Sequence, residues 1–252
     1  VSPFLLLDYA APFAFSPGTG RRGVGAHPHK GFETVTLTYQ GEVEHRDSSG
    51  AGGKIGPDDV QWMTAGNGIV HEEFHSREFV GEGGIFEVIQ LWVNLPAKYK
   101  GEKAGYQTLT RENIPSVSLE DNAGLVRVVA GDFRENKGPA KTFTPINIWD
   151  ARLNANKVVE FSFPKGHNKF VFVLNGDVTV DGQKVANAEL AVIDPDASSI
   201  KVETRSEAKL LVLSGEPINE PVVGYGPFVM NTQAEIKEAY AQYQMGEMGV
   251  LD

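Results

Sequence analysis

The chain has 252 residues, enough for two domains whose cores need no covalent staples. It contains no cysteine, which excludes disulfides, zinc–thiolate centres, iron–sulfur clusters and thiol nucleophiles. With 23 basic against 33 acidic residues, the net charge of −10 opposes nucleic-acid phosphate. In chain order, the opening Val1–Asp8 lacks the basic flank and long apolar core of a signal peptide, and it starts without an initiator Met, so a trimmed cytoplasmic chain is expected. Arg21-Arg22 is the one tight basic pair and reads as a solvated loop. Residues 33–39 alternate polar and apolar, with β-branched and aromatic side chains, as a strand does. Gln40-Gly41-Glu42 is a turn, and Gly56-Pro57-Asp58-Asp59 leads into a second strand at 60–64. Residues 85–93 form the longest strand-like run of the first half.

Residues 96–115 are polar and read as an interdomain connection. Beyond them, strands are expected at 125–130, 157–163, 169–174, 177–180, 189–193 and 209–214, with hairpin turns at Asn175-Gly176 and Asp181-Gly182. Residues 39–43 and 174–178 each end a strand, turn at glycine and resume with an acid then valine, an echo that fits duplication. Only residues 232–243 read as a helix. Thr232 and Glu235 have the spacing of a capping box, and Ile236, Tyr240 and Tyr243 share a face. No apolar run approaches the ~18 residues of a membrane span.

The chemistry concentrates in residues 27–75, which hold five of the six histidines. Alternation along a strand puts His27 and His29 on one face, and His71 and Glu73 on one face with Glu72 on the other. If the two segments face each other, three imidazoles and a carboxylate surround one point. Nitrogen and oxygen donors without thiolate suit one divalent ion, Fe(II), Mn, Ni, Cu or Zn, and four ligands leave two positions of a six-coordinate ion for substrate or dioxygen. Glu33 competes with Glu73, because counting four residues from His29 also puts it on the metal face. His45 and His75 fit neither cluster and read as structural or surface residues.

The run His27-Pro28-His29-Lys30-Gly31-Phe32-Glu33-Thr34-Val35 resembles the first motif of the pirin family of cupins. The stretch from Gln61 to Glu73, with Leu91–Pro96 and Gly226–Thr232, resembles three further stretches typical of that family. The resemblance spans nearly the whole chain. It implies an all-β bicupin: two stacked jelly-roll β-barrels with a short C-terminal helix, divided as 1–110 and 111–252. It implies one metal ion, best matched by Fe(II), on His27, His29, His71 and Glu73 of the first barrel. The second half keeps only His167 and cannot rebuild the site. In pirins the later glutamate is the ligand, which ranks Glu73 above Glu33. The implied activity is that of a quercetin 2,3-dioxygenase, opening a flavonol-like aromatic substrate with O2, with Glu73 as the catalytic base. Phe32, Trp62, Met63 and Phe74 are candidates for an apolar wall. The alternative implied by other pirins is a non-catalytic regulator that works through protein partners, with the metal as a structural or redox element. A third reading is another cupin activity, such as isomerisation of a small sugar or acid. Direct nucleic-acid binding and membrane insertion are not expected.

Overall fold

In the computed structural model, which describes residues 1–251, the alternating segments of the first half are strands: β1 (Phe4–Phe15), β2 (Gly23–His29), β3 (Phe32–Gln40), β4 (Val43–Asp47), β5 (Gly52–Ile55), β6 (Val60–Thr64), β7 (Ile69–His75), β8 (Gly84–Asn94) and β9 (Gly105–Leu109). They make two antiparallel sheets, in the orders β1-β8-β3-β6-β9 and β2-β7-β4-β5. Helix α1 (Arg77–Glu82) joins β7 to β8, and the Ser76 hydroxyl caps it by accepting the Phe79 amide at 3.0 Å.

Both faces of β3 are buried, but they differ in chemistry. Thr36 pairs in register with Gln61 on β6 and with Gln90 on β8. This face looks onto the second sheet, because Gln90 Nε2 donates to a Glu73 oxygen at 2.9 Å and Thr36 Oγ1 to the other at 3.5 Å. The opposite face carries Val35, Leu37, Trp62, Ile89 and Leu91, all at most 3% exposed. The first barrel therefore keeps much of its apolar packing on one side of the sheet and polar side chains in its interior.

The second unit repeats the two-sheet plan. Its six-stranded sheet includes Gly124–Ala130, Ile146–Leu153, Asn168–Asn175 and Ala208–Gly215. A four-stranded sheet contains Lys157–Ser162 and Ser199–Thr204. Its interior is filled with Val126, Val128, Trp149, Phe161, Val171, Val173, Leu210 and Val212. Close-packed apolar side chains leave neither donors nor room for an ion there.

The division of the chain corrects the sequence expectation at its ends. Among the described residues, one unit comprises Val1–Pro3 and Glu112–Pro217, the other Phe4–Arg111 and residues 218–251. The C-terminal segment, expected with residues 111–252, belongs with the first barrel. Its short hairpin, Val223–Tyr225 and Phe228–Met230, leads into α2 (Gln233–Gln244). Phe228, Met230, Ile236, Ala239 and Met248 bury together with Val70 of β7. The capping box forms as its spacing indicates, with Glu235 N donating to Thr232 Oγ1 at 3.2 Å and Thr232 N to Glu235 Oε2 at 2.7 Å. Amphipathic spacing shows that a helix packs on something; it carries no information about which barrel.

Candidate metal centre

Antiparallel pairing of β2 and β7 sets His27 opposite His71. His27 and His29, two residues apart, share the face that meets His71, and the ladder has an irregularity between Val24 and His27. The ring centroids lie 4.4 Å apart for His27 and His71, 5.0 Å for His29 and His71, and 4.8 Å for His27 and His29. One nitrogen from each ring falls within 4.8 Å of the other two. The outward nitrogens of two rings are engaged: His27 Nδ1 lies 2.8 Å from the Gly25 carbonyl oxygen and His29 Nδ1 3.4 Å from that of Pro227. These contacts leave both Nε2 atoms turned to one another, 3.1 Å apart. His71 is fully buried, and neither of its ring nitrogens has a hydrogen-bond partner among the described residues.

The buried imidazoles of His29 and His71, crowded beside the half-buried His27, are held neutral, the form that ligates metals. Burial, reinforced by the charge His27 would carry, pushes the His29 pKa down to about 3. Burial and the neighbouring histidines push His71 down to about 2. A buried polar cluster of this kind, with Nε2 lone pairs converging and a bare His71, fits a divalent ion better than an internal hydrogen-bond network. The three histidines could hold a metal.

Glu73 and Glu33 separate in space. Glu73 stands on β7 two residues beyond His71, on the same face, and Val24 is its register partner on β2. Burial raises the carboxyl pKa of Glu73, against the bond from Gln90. Glu33 is on β3, where alternation gives the interior face to Phe32, Thr34 and Thr36 and turns Glu33 away. It is 1% exposed and accepts the Thr64 hydroxyl at 2.7 Å. Counting parity from His29 to Glu33 fails physically, because Gly31, at φ 88°, breaks the strand and carries the chain from one sheet to the other.

A cavity of about 200 Å³ opens beside Glu73 and Gln90, with Val24, Val43, Phe86 and Val88 as apolar wall. Of the four side chains expected to form such a wall, Phe32 lies on the metal side, 5.1 Å from the His29 ring and 4.4 Å from Trp92. Met63, opposite Thr34, shares that side. Trp62 points to the other face with Val35, while Phe74 is among the residues lining the cavity and carries the Arg21 guanidinium 3.7 Å from its ring centre. Arg21 is not simply solvated: it joins Arg46 on the Glu72 carboxylate, at 2.8 and 2.6 Å.

Sequence reasoning missed several interior groups. His45 on β4 pairs in register with Glu73, is 5% exposed, and has no hydrogen-bond partner on either nitrogen among the described residues. Burial lowers its pKa to about 4, although Asp47 opposes the shift. The Tyr106 ring packs 4.8 Å from it, and both amide atoms of the buried Gln61 lack a partner among the described residues. His75 stacks on Phe86 at 4.2 Å in the cavity wall. The alternating pattern of β4 could have placed His45 inside the barrel; nothing in the sequence pairs it with β7.

The pirin family profile matches residues 1–93, and the profile described as the pirin C-terminal cupin domain matches residues 148–249. This chain belongs to the pirin family. A Pseudomonas aeruginosa protein named "putative quercetin 2,3-dioxygenase" is 52% identical over 246 residues, 98% of this chain and 86% of that one. Pirin-1 of Arabidopsis thaliana is 39% identical over 255 residues, 99% of this chain and 84% of its own. A crystal structure of quercetin 2,3-dioxygenase from Acinetobacter baumannii superposes with a TM-score of 0.97 at 49% identity, covering 100% of this chain and 88% of that one. The chain is thus an all-β bicupin with a histidine triad in its first barrel.

Proposed function

We propose that this pirin is a metal-dependent dioxygenase of the quercetinase type, holding one divalent ion, Fe(II), on His27, His29, His71 and Glu73 and opening a flavonol-like aromatic substrate with O2. The observation that carries the reading is the convergence of His27 Nε2 and His29 Nε2, 3.1 Å apart, with the His71 ring packed against both; Glu73, two residues along β7 from His71, lines an apolar-walled cavity. When bound, the ion supplies Lewis acidity and one-electron chemistry toward dioxygen. The chain supplies the rest. Val24, Val43, Phe86 and Val88 take the flat aromatic rings out of water. Glu73 accepts the proton of the flavonol 3-hydroxyl when its bond to the ion is weak or reversible. Gln90 and Thr36 fix both carboxylate oxygens, so the acceptor is oriented before substrate arrives.

The test is carbon monoxide release from quercetin in air by the iron-loaded protein, against a His29→Ala control. Carbon monoxide is the better readout because quercetin also bleaches slowly without enzyme. A flavone lacking the 3-hydroxyl should be inert. Equal carbon monoxide from protein and control refutes the dioxygenase reading; tight metal without turnover would instead favour a regulator acting through protein contact.

A further inference from the structure

The segment that returns from the second unit touches each of the two strands that carry the histidines. At β2, the Pro227 carbonyl lies 3.4 Å from His29 Nδ1, Phe228 forms a parallel bridge with Lys30, and Val229 N donates to the Lys30 carbonyl at 3.0 Å. At β7, Val70 packs in one cluster with Phe228, Met230, Ile236, Ala239 and Met248. Ser48 ties the same region twice: its hydroxyl donates to the Met248 carbonyl at 2.7 Å and accepts the Val70 amide at 3.2 Å. Residues 30 and 70 each adjoin a histidine of the triad.

The buried Lys100 pins the arrangement. Its ammonium donates to the Gly31 carbonyl at 2.7 Å, Asn94 Oδ1 at 2.7 Å and the Val229 carbonyl at 3.0 Å, so one charge joins the β2–β3 turn, β8 and the tail. The approach is close enough to dictate glycines. A Cβ on Gly31 would lie 2.0 Å from the Val229 carbonyl oxygen, and one on Gly68 would lie 2.7 Å from Met248 Cγ. Such complementarity exceeds what a loosely docked tail needs.

We infer that the C-terminal segment 218–251 is a clasp on the metal centre: the Pro227 backbone carbonyl sets the tautomer and orientation of His29, and the segment locks β2 and β7 at the spacing the histidines require. The inference rests on the reading of His29 as a metal ligand. An imidazole that ligates through one nitrogen depends on the partner of the other for its aim and basicity, and losing such a partner typically costs about 10–100-fold in metal affinity. Pro227 and Lys100 are thus positioning residues, and by linkage metal binding and tail docking favour each other by the same factor. Because the partner is a main-chain carbonyl, no substitution at position 227 removes it. The handle is the docking of the segment.

The experiment uses the full chain with Ni²⁺ and Co²⁺ as probes. Amide exchange at Val229, whose N–H bonds Lys30, is followed with and without Ni²⁺, with β1–β8 amides as the measure of general stabilisation. Ni²⁺ is expected to slow Val229 exchange beyond those amides. Lys100→Met and, as the milder variant, Ser48→Ala are expected to weaken Ni²⁺ about 10-fold or more and to alter the cobalt(II) d–d spectrum, which a merely destabilised barrel with an intact site would not do. His71→Ala, which does not touch the tail's hydrogen bonds to β2, should abolish both the binding and the effect of Ni²⁺ on Val229. If Ni²⁺ binds wild type and His71→Ala abolishes binding, yet Val229 exchange follows the β1–β8 amides, the clasp is refuted and the metal reading stands. Wild-type affinity and an unchanged cobalt spectrum in either variant would refute it equally. If wild type binds neither ion, the metal reading fails and the clasp with it.

Discussion

Substituting Glu33 by Gln tests the face assignment and the electrostatics of the barrel at once. Glu33 is 1% exposed, and burial lifts its carboxyl pKa to about 7, against the bond it accepts from Thr64. In the unfolded chain it ionises near the ordinary value of 4.5. Between these values the folded state holds a proton the unfolded state has lost, so stability falls as pH rises through the window. The displacement from 4.5 to about 7 is worth about 3 kcal/mol, most of it lost between about pH 5 and 9. Gln is isosteric, does not titrate, and keeps an oxygen for the Thr64 hydroxyl. The metal-free variant should therefore gain on wild type with rising pH, by about 5–10 °C in relative Tm across that range. Scanning calorimetry at both pH values measures it. A Tm difference that does not change with pH would show Glu33 titrating normally and refute the burial argument. Metal affinity should change little, since the side chain faces away from the histidines.

Glu73→Gln should instead weaken metal binding and suppress flavonol cleavage, read by calorimetric titration and carbon monoxide release; equal metal loss in Glu33→Gln would reverse the ligand assignment. Ala at His27, His29 or His71 should abolish metal binding while circular dichroism stays native, because the barrel's apolar packing lies on the opposite face of β3 and β8; an unfolded variant would make the site structural. The metal-free protein should lose stability as pH falls through 6.5, since His29 and His71, with folded pKa values of about 3 and 2, take up protons only on unfolding. Denaturant melts at pH 7 and 5 check this against Glu33, whose contribution has the opposite sign. Elemental analysis should find one ion per chain, because the second barrel's interior is apolar; two equivalent ions would contradict that. Gly31→Ala should destabilise by at least ~1–3 kcal/mol, from a positive φ and a clash with Val229, visible as a lowered Tm.

Much of the site was written in local periodicity. A two-residue spacing fixes which side chains share a face of a strand, so His27 with His29, and His71 with Glu73, were legible before any fold was known. So were the helix at Thr232–Tyr243 with its capping box and the strands with clean alternation, because those signals are satisfied within a few residues. What only the tertiary structure decided lies across breaks in that periodicity. Gly31 switches the chain between sheets, so parity could not exclude Glu33. Register between β4 and β7, which brings His45 beside Glu73, depends on turns and on packing of the whole barrel. The tail's return to the first barrel, and the Pro227 carbonyl at His29, depend on contacts about 200 residues apart in sequence. A pattern read along a strand states which way a side chain points; what it meets there is set by the rest of the chain.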